Sequence, residues 1–199
     1  MPSPATREDG YLLERPNRYQ FARPDVAMSL LEAFRETRTR YRRDPIGIAD
    51  ISQWNGRRPA SDVDKPRHVS HEGGKDVDIA LPSLEEPSTM RDHCDKEIAP
   101  DFQKAVCKKG TARAFDASRM AYFLGKLVKQ GVVDKVFLDA EFIEPTARSA
   151  RRLSEIGWMS SAIAEKLQPD AGILKHLAWH TDHVHVRFLG GKGVGFAQR

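Results

Sequence analysis

Asp76-Val77-Asp78-Ile79-Ala80-Leu81, preceded by His71, and His183-Val184-His185-Val186-Arg187-Phe188 alternate polar, metal-binding side chains with apolar ones. That is the period of a pleated strand, whose successive side chains point to opposite faces. If the two strands share a sheet, His71, Asp78, His183 and His185 converge on one face. Val77, Ile79, Val184, Val186 and Phe188 then pack into a core on the other. The pattern predicts a metal site built on a rigid floor.

Outward from these strands, residues 1-22 are polar and proline-bearing and are expected to form an irregular arm, with Tyr11, Tyr19 and Phe21 tucked against the domain. Pro24-Asp25 starts a helix whose Val26, Leu30, Leu31, Phe34 and Tyr41 share one face, ending near Asp44-Pro45. Ile46 to Ser52 reads as a strand, and Gln53 to Arg67 as a loop rich in Gly, Pro, Asp and Arg. Residues 82-110 lack periodicity and are expected to form a long rim, the kind of loop that often carries function. Asp116-Ala117-Ser118 starts a helix with Met120, Phe123, Leu124, Leu127 and Val128 on one side, stopped at Gly131. Val132 to Ile143 reads as a buried strand, Thr146 to Ile156 and Ser160 to Leu167 as two short helices, and His183 to Leu189 as the last strand. The domain is expected over 23-190, followed by a glycine-rich tail, 191-199. Gly190-Gly191-Lys192-Gly193-Val194-Gly195 lacks the following helix and the Lys-Ser or Lys-Thr that a phosphate loop requires. No internal repeat, heptad run or CxxC pair is visible.

A chain of 199 residues is about one domain's worth and long enough to bury a core. With 40% hydrophobic and 30% charged residues and a mean hydropathy of -0.56, it is neither disordered nor membrane-spanning in composition. No apolar run approaches the roughly 20 residues of a spanning helix. A net charge of +4 and a pI near 9.1 suit a polyanionic partner such as nucleic acid, an anionic cell wall or lipid headgroups. The basic runs at Arg35, Arg38, Arg40, Arg42 and Arg43, and at Arg148, Arg151 and Arg152, read first as solvated helix faces. Cys94 and Cys107 either form one bridge in an oxidising compartment or remain buried thiols. Met1 to Gly10 has no apolar segment of the kind a signal peptide requires.

The chemistry rests on the seven histidines. Six lie at or just before the two strands: His68 and His71, then His176, His180, His183 and His185. A loop histidine followed seven residues later by a strand carboxylate, as in His71 and Asp78, makes a loop-to-strand donor pair. The second strand adds an imidazole. Three donors of mixed nitrogen and oxygen type leave one tetrahedral position open, as in a catalytic zinc site. Asp76 shares the face of Asp78 and is an alternative donor at this level of reading.

Ser70-His71-Glu72-Gly73-Gly74-Lys75-Asp76-Val77-Asp78-Ile79 and Trp179-His180-Thr181-Asp182-His183-Val184-His185-Val186-Arg187 resemble the two signature blocks of the penicillin-insensitive murein endopeptidases. These belong to the wider lysostaphin-type and D-alanyl-D-alanine zinc metallopeptidase group. Ala49-Asp50-Ile51-Ser52 with Asn55-Gly56, and Val136-Phe137-Leu138-Asp139-Ala140-Glu141, extend the resemblance over roughly residues 20 to 190. It implies an α+β fold with a small antiparallel core sheet carrying one Zn2+, flanked by helices and long loops. By position, it makes His71, Asp78 and His185 the zinc ligands, and His183 and His180 the catalytic histidines. His68 flanks the first ligand, Asp76 supports the ligands, and Asp182 is either a base or a loop-structuring residue. The implied reaction is hydrolysis of the D-alanyl to meso-diaminopimelyl cross-link of peptidoglycan, with zinc polarising the carbonyl and activating water.

The resemblance places the site of action in the periplasm or cell wall. Typical members carry a signal peptide and several cysteines. For this chain, signal removal, phage lysis and effector injection are the expected alternative routes to the wall. Nothing in the sequence names an inhibitor or immunity protein. Two rival functions are a metal-dependent nuclease or phosphodiesterase and a non-catalytic wall-binding module. The first expects a hydroxyl two residues after each histidine, where His185 and Arg187 stand instead, so no nucleic acid partner is expected. The second has little reason to keep all three ligands together with His183 and His180.

Overall fold

The computed structural model describes residues 1-4, 6-14, 17-85, 87-99 and 104-190; the expected tail, 191-199, lies outside the described residues. The chain begins with β1 (Tyr11–Leu13), α1 (Pro24–Tyr41), β2 (Ile46–Ile48), β3 (Asp76–Ala80), β4 (Lys96–Ile98) and β5 (Ala105–Cys107). It continues with α2 (Ala117–Lys129), β6 (Val133–Leu138), α3 (Ala140–Glu155), α4 (Ser161–Lys166), β7 (Leu174–His176) and β8 (His183–Phe188).

β3 and β8 pair antiparallel in the register the alternation demands. Val77 faces Val186 and Ile79 faces Val184 on one side of the sheet. Asp76 faces Arg187, Asp78 faces His185 and Ala80 faces His183 on the other. The apolar side packs against Leu30 and Phe34 of α1 and Phe123 and Leu127 of α2, all fully buried. Each such side chain contributes roughly 1.5–3 kcal/mol on burial. A one-residue slip would drive Asp78 and His185 into that core, so the hydrophobic face fixes the register of the polar one.

The α+β class stands, but the sheet is larger than the small antiparallel one expected. Six strands form a mixed sheet in the order β1-β2-β3-β8-β6-β7, with β4 and β5 as a separate hairpin. Its centre is antiparallel, whereas β1 runs parallel to β2 and β7 parallel to β6. β1 comes from the segment expected to be an irregular arm. β1 and β7 are three residues each, too short for a period of two to show in sequence. The strand expected over Val132 to Ile143 also ends early. Asp139 accepts a hydrogen bond from Glu141 N and caps α3, which therefore starts at Ala140 rather than Thr146.

The stretch 82-110 holds more than a rim. Cys94 and Cys107 are joined by a disulfide, the outcome the sequence left open. Cys107 N donates to Asp139 Oδ2 (3.0 Å) and Trp179 N donates to Ala105 O (2.7 Å), fastening this hairpin to the loop that carries His180. The N-terminal arm crosses the turn that leads into β3. Gly74 sits there at φ +67°, and a Cβ at that position would come within 2.7 Å of Arg23 N. No described helix is long and apolar enough to cross a membrane.

Candidate metal centre

Asp78 projects from β3 at the middle of the polar face and is 2% exposed. His185, directly across the ladder on β8, brings Nδ1 to 3.2 Å from Asp78 Oδ1. His71, from the turn before β3, brings Nε2 to 3.2 Å from the same oxygen. The two imidazole nitrogens are themselves 3.2 Å apart, with their rings nearly perpendicular. His183 Nε2 lies 3.7 Å from Asp78 Oδ1, and His68 Nδ1 3.6 Å from Asp78 Oδ2.

The far nitrogen of each ring decides what the near one can do. His71 Nδ1 contacts Ile51 O (2.9 Å), His185 Nε2 contacts Asp76 Oδ1 (2.8 Å), His183 Nδ1 contacts Asp182 Oδ1 (2.6 Å) and His68 Nε2 contacts Asp50 Oδ2 (2.9 Å). All four partners are acceptors, so each far nitrogen carries the ring's proton. Each near nitrogen then presents a lone pair toward one carboxylate. Lone pairs facing lone pairs repel unless a cation or extra protons lie between them. Among the described residues, Asp78 Oδ1 is buried and has no well-directed hydrogen bond, although two imidazole nitrogens stand 3.2 Å from it. A divalent ion fits this donor set of imidazole and carboxylate, and the carboxylate on His185 is the support that orients a ligating histidine. The donor atoms of His68, His71 and Asp78 all lie within 4.8 Å of one another, so this cluster could hold a metal ion.

The electrostatics follow from the same contacts. Burial works to raise the pKa of Asp78, but His183 and His71 hold it well below the usual carboxylate range. Burial likewise opposes the charge on His185, and Asp76 and Asp78 overcome it, raising its pKa to about 9. His183 is raised too, by Asp78 and Asp182 against burial. His180, mainly through burial and then through the nearby His183, falls to about 4 and is neutral. Its Nδ1 is bonded to Ala178 O (2.8 Å) and its ring is 4.6 Å from that of His183.

The structure thus brings together His68, His71, Asp78, His180, His183 and His185, with Asp76 and Asp182 behind them. His93 is buried against Arg113 O and His176 is exposed on β7; neither takes part in these contacts. Two residues of the site were not singled out by sequence. Asp50 binds His68 and Arg67, and Arg187 Nε donates to Asp76 Oδ1 (2.8 Å). The signal for Asp50 was present: it is a lone carboxylate in the apolar run Ile46-Gly47-Ile48-Ala49-Asp50-Ile51. No protein-family model matches the chain, and no curated protein matches it either.

With its pKa raised to about 9, His185 is expected to carry a proton on Nδ1 at neutral pH. Metal binding must displace it, because a ligating imidazole is neutral. Below about 9 the apparent affinity for a divalent metal ion is therefore expected to rise with pH, by about tenfold per unit for each proton released. Competition with a chelator at pH 6, 7 and 8 measures this. A flat profile would contradict the protonated His185.

Proposed function

We propose that the chain is a zinc-dependent endopeptidase that hydrolyses peptidoglycan peptide cross-links of the D-alanyl to meso-diaminopimelyl type. The observation that carries the reading is the convergence of acceptor-locked imidazoles on the buried Asp78 carboxylate. His71, Asp78 and His185 would hold the ion, as the resemblance of the two sequence blocks implies. Bound there, zinc would supply a Lewis acid that polarises a carbonyl and lowers the pKa of water.

His183 is placed for the proton transfers. Its Nδ1–H is held by Asp182, which orients the ring and steadies the imidazolium, so Nε2 can take a proton from water. As the new C–O bond forms and the C–N bond breaks, the same proton passes from Nε2 to the leaving amine. His180, whose pKa burial lowers to about 4, is neutral near pH 7. Asp76, held by Arg187, keeps the His185 ring in its tautomer. The Cys94–Cys107 disulfide supports action outside a reducing cytosol.

Incubating the zinc-loaded protein with purified cross-linked muropeptide dimers tests the reading. Mass spectrometry is expected to show monomers gaining one water per bond, and a chelator is expected to stop the reaction. Dimers that survive under conditions where a control endopeptidase cleaves them would sink the substrate assignment.

A further inference from the structure

We propose that Arg187, flanked by Lys135 and Lys175, forms an anion subsite for the substrate carboxylate borne on the carbon next to the scissile nitrogen. The inference rests on the endopeptidase reading above and assigns the leaving side of the cross-link to the surface of β6 and β7. In a D-alanyl to meso-diaminopimelyl link, the carbon bonded to the scissile nitrogen carries a free carboxylate. A negative charge therefore stands beside the bond that breaks.

Strand register sets the placement. Asp78, His185 and Phe137 form one row across β3, β8 and β6, and Asp76, Arg187 and Lys135 form the next. Residues directly opposite across a ladder share a face. The Phe137 ring accordingly lies 5.4 Å from that of His185 and 6.5 Å from that of His180. Two residues along a strand span about 6.6 Å. A scissile carbonyl and this carboxylate are separated only by the nitrogen and one carbon, so a substrate with its carbonyl over the first row presents the carboxylate toward the second.

Arg187 is held ready for such a group. Its Nε donates to Asp76 Oδ1 (2.8 Å) and its Cζ lies 5.6 Å from the centre of the Phe137 ring, which together fix the guanidinium. Among the described residues, Nη1 and Nη2 make no hydrogen bond, and the side chain is 31% exposed. Holding Asp76 takes one donor, whereas the guanidinium keeps a further pair in the parallel geometry that suits a carboxylate. Asp76 is buried and already shared with His185 (2.8 Å). Lys135, whose Nζ donates to Gly172 O (2.9 Å), stands opposite Arg187, and the exposed Lys175 stands opposite Phe137 on β7. Cationic side chains thus border a half-buried aromatic floor beside the histidine cluster.

Two peptide dimers that differ only in this carboxylate, free in one and amidated in the other, test the subsite. The zinc-loaded protein is expected to cleave the free form with a kcat/KM roughly 10- to 100-fold higher, expressed mainly in KM. In Arg187→Gln the preference is expected to fall to within a few-fold, and in Arg187→Lys to be partly kept. Loss of the Asp76 contact slows both dimers alike, so the ratio isolates the carboxylate contact. Lys175→Gln, on an exposed position, provides a second variant, with an expected loss of preference of about two- to fivefold. Equal cleavage of the two dimers by the unaltered protein, or an undiminished preference in Arg187→Gln, would overturn the subsite and leave the endopeptidase reading standing. If neither dimer is cleaved, the endopeptidase reading falls, and calorimetric titration with the free and amidated stem peptides decides the subsite separately. Tighter binding of the free form that is lost in Arg187→Gln would support it, and equal binding of the two would overturn it.

Discussion

His185→Ala is expected to abolish tight zinc binding. His185 Nδ1 is 3.2 Å from both Asp78 Oδ1 and His71 Nε2, so its loss opens one side of the donor triangle. A structural zinc site is worth about 10–16 kcal/mol over four donors, or roughly 3 kcal/mol each, which corresponds to at least about a hundredfold in affinity. The true loss is expected to be larger, because among the described residues Asp76 then keeps only the Arg187 side chain and Asp78 loses its partner across the ladder. Calorimetric titration of the metal-free variant measures this. Affinity within a few-fold of the unaltered protein would show that the ion sits elsewhere.

The opposite split is expected for His183→Ala. Its Nε2 stands 3.7 Å from Asp78 Oδ1, outside the 3.2 Å triangle, and its Nδ1 is committed to Asp182. Zinc content is therefore expected to stay at one ion per chain while turnover of muropeptide dimers falls by about 10²- to 10⁴-fold, the usual worth of a general acid–base group. Asp182 lies on the outer side of the His183 ring, so its loss is expected to be milder than that of His183 itself. Equal loss of zinc in His183→Ala and His185→Ala would mean that the division between ligand and proton carrier is drawn in the wrong place.

The central ladder was legible because its two faces differ so sharply. Val77, Ile79, Val184 and Val186 mark one face, and Asp78, His183 and His185 the other, so the period and the two faces could be read before any pairing was known, while the register came only with the ladder. Helix α1 was legible for the same reason at its own period. What could not be read were elements whose information is not periodic. β1 and β7 are three residues long, and their pairing is set by neighbours far away in sequence. The true start of α3 turned on one capping side chain, Asp139, within a run that otherwise reads as strand. In the site, the histidines advertise themselves by type. Asp50 shows in the sequence only as a lone carboxylate in an apolar run, and its role appears when folding sets it against His68 and Arg67. The disulfide likewise depends on the hairpin of β4 and β5 bringing Cys107 back to Cys94, which nothing in the spacing specifies.

Anomalous diffraction at the zinc edge, from crystals grown with one equivalent of zinc, tests most directly whether these lone pairs were arranged for an ion. A single peak bounded by His71 Nε2, Asp78 Oδ1 and His185 Nδ1 is the predicted result. A protein that takes up no zinc, or a peak away from Asp78, would contradict it.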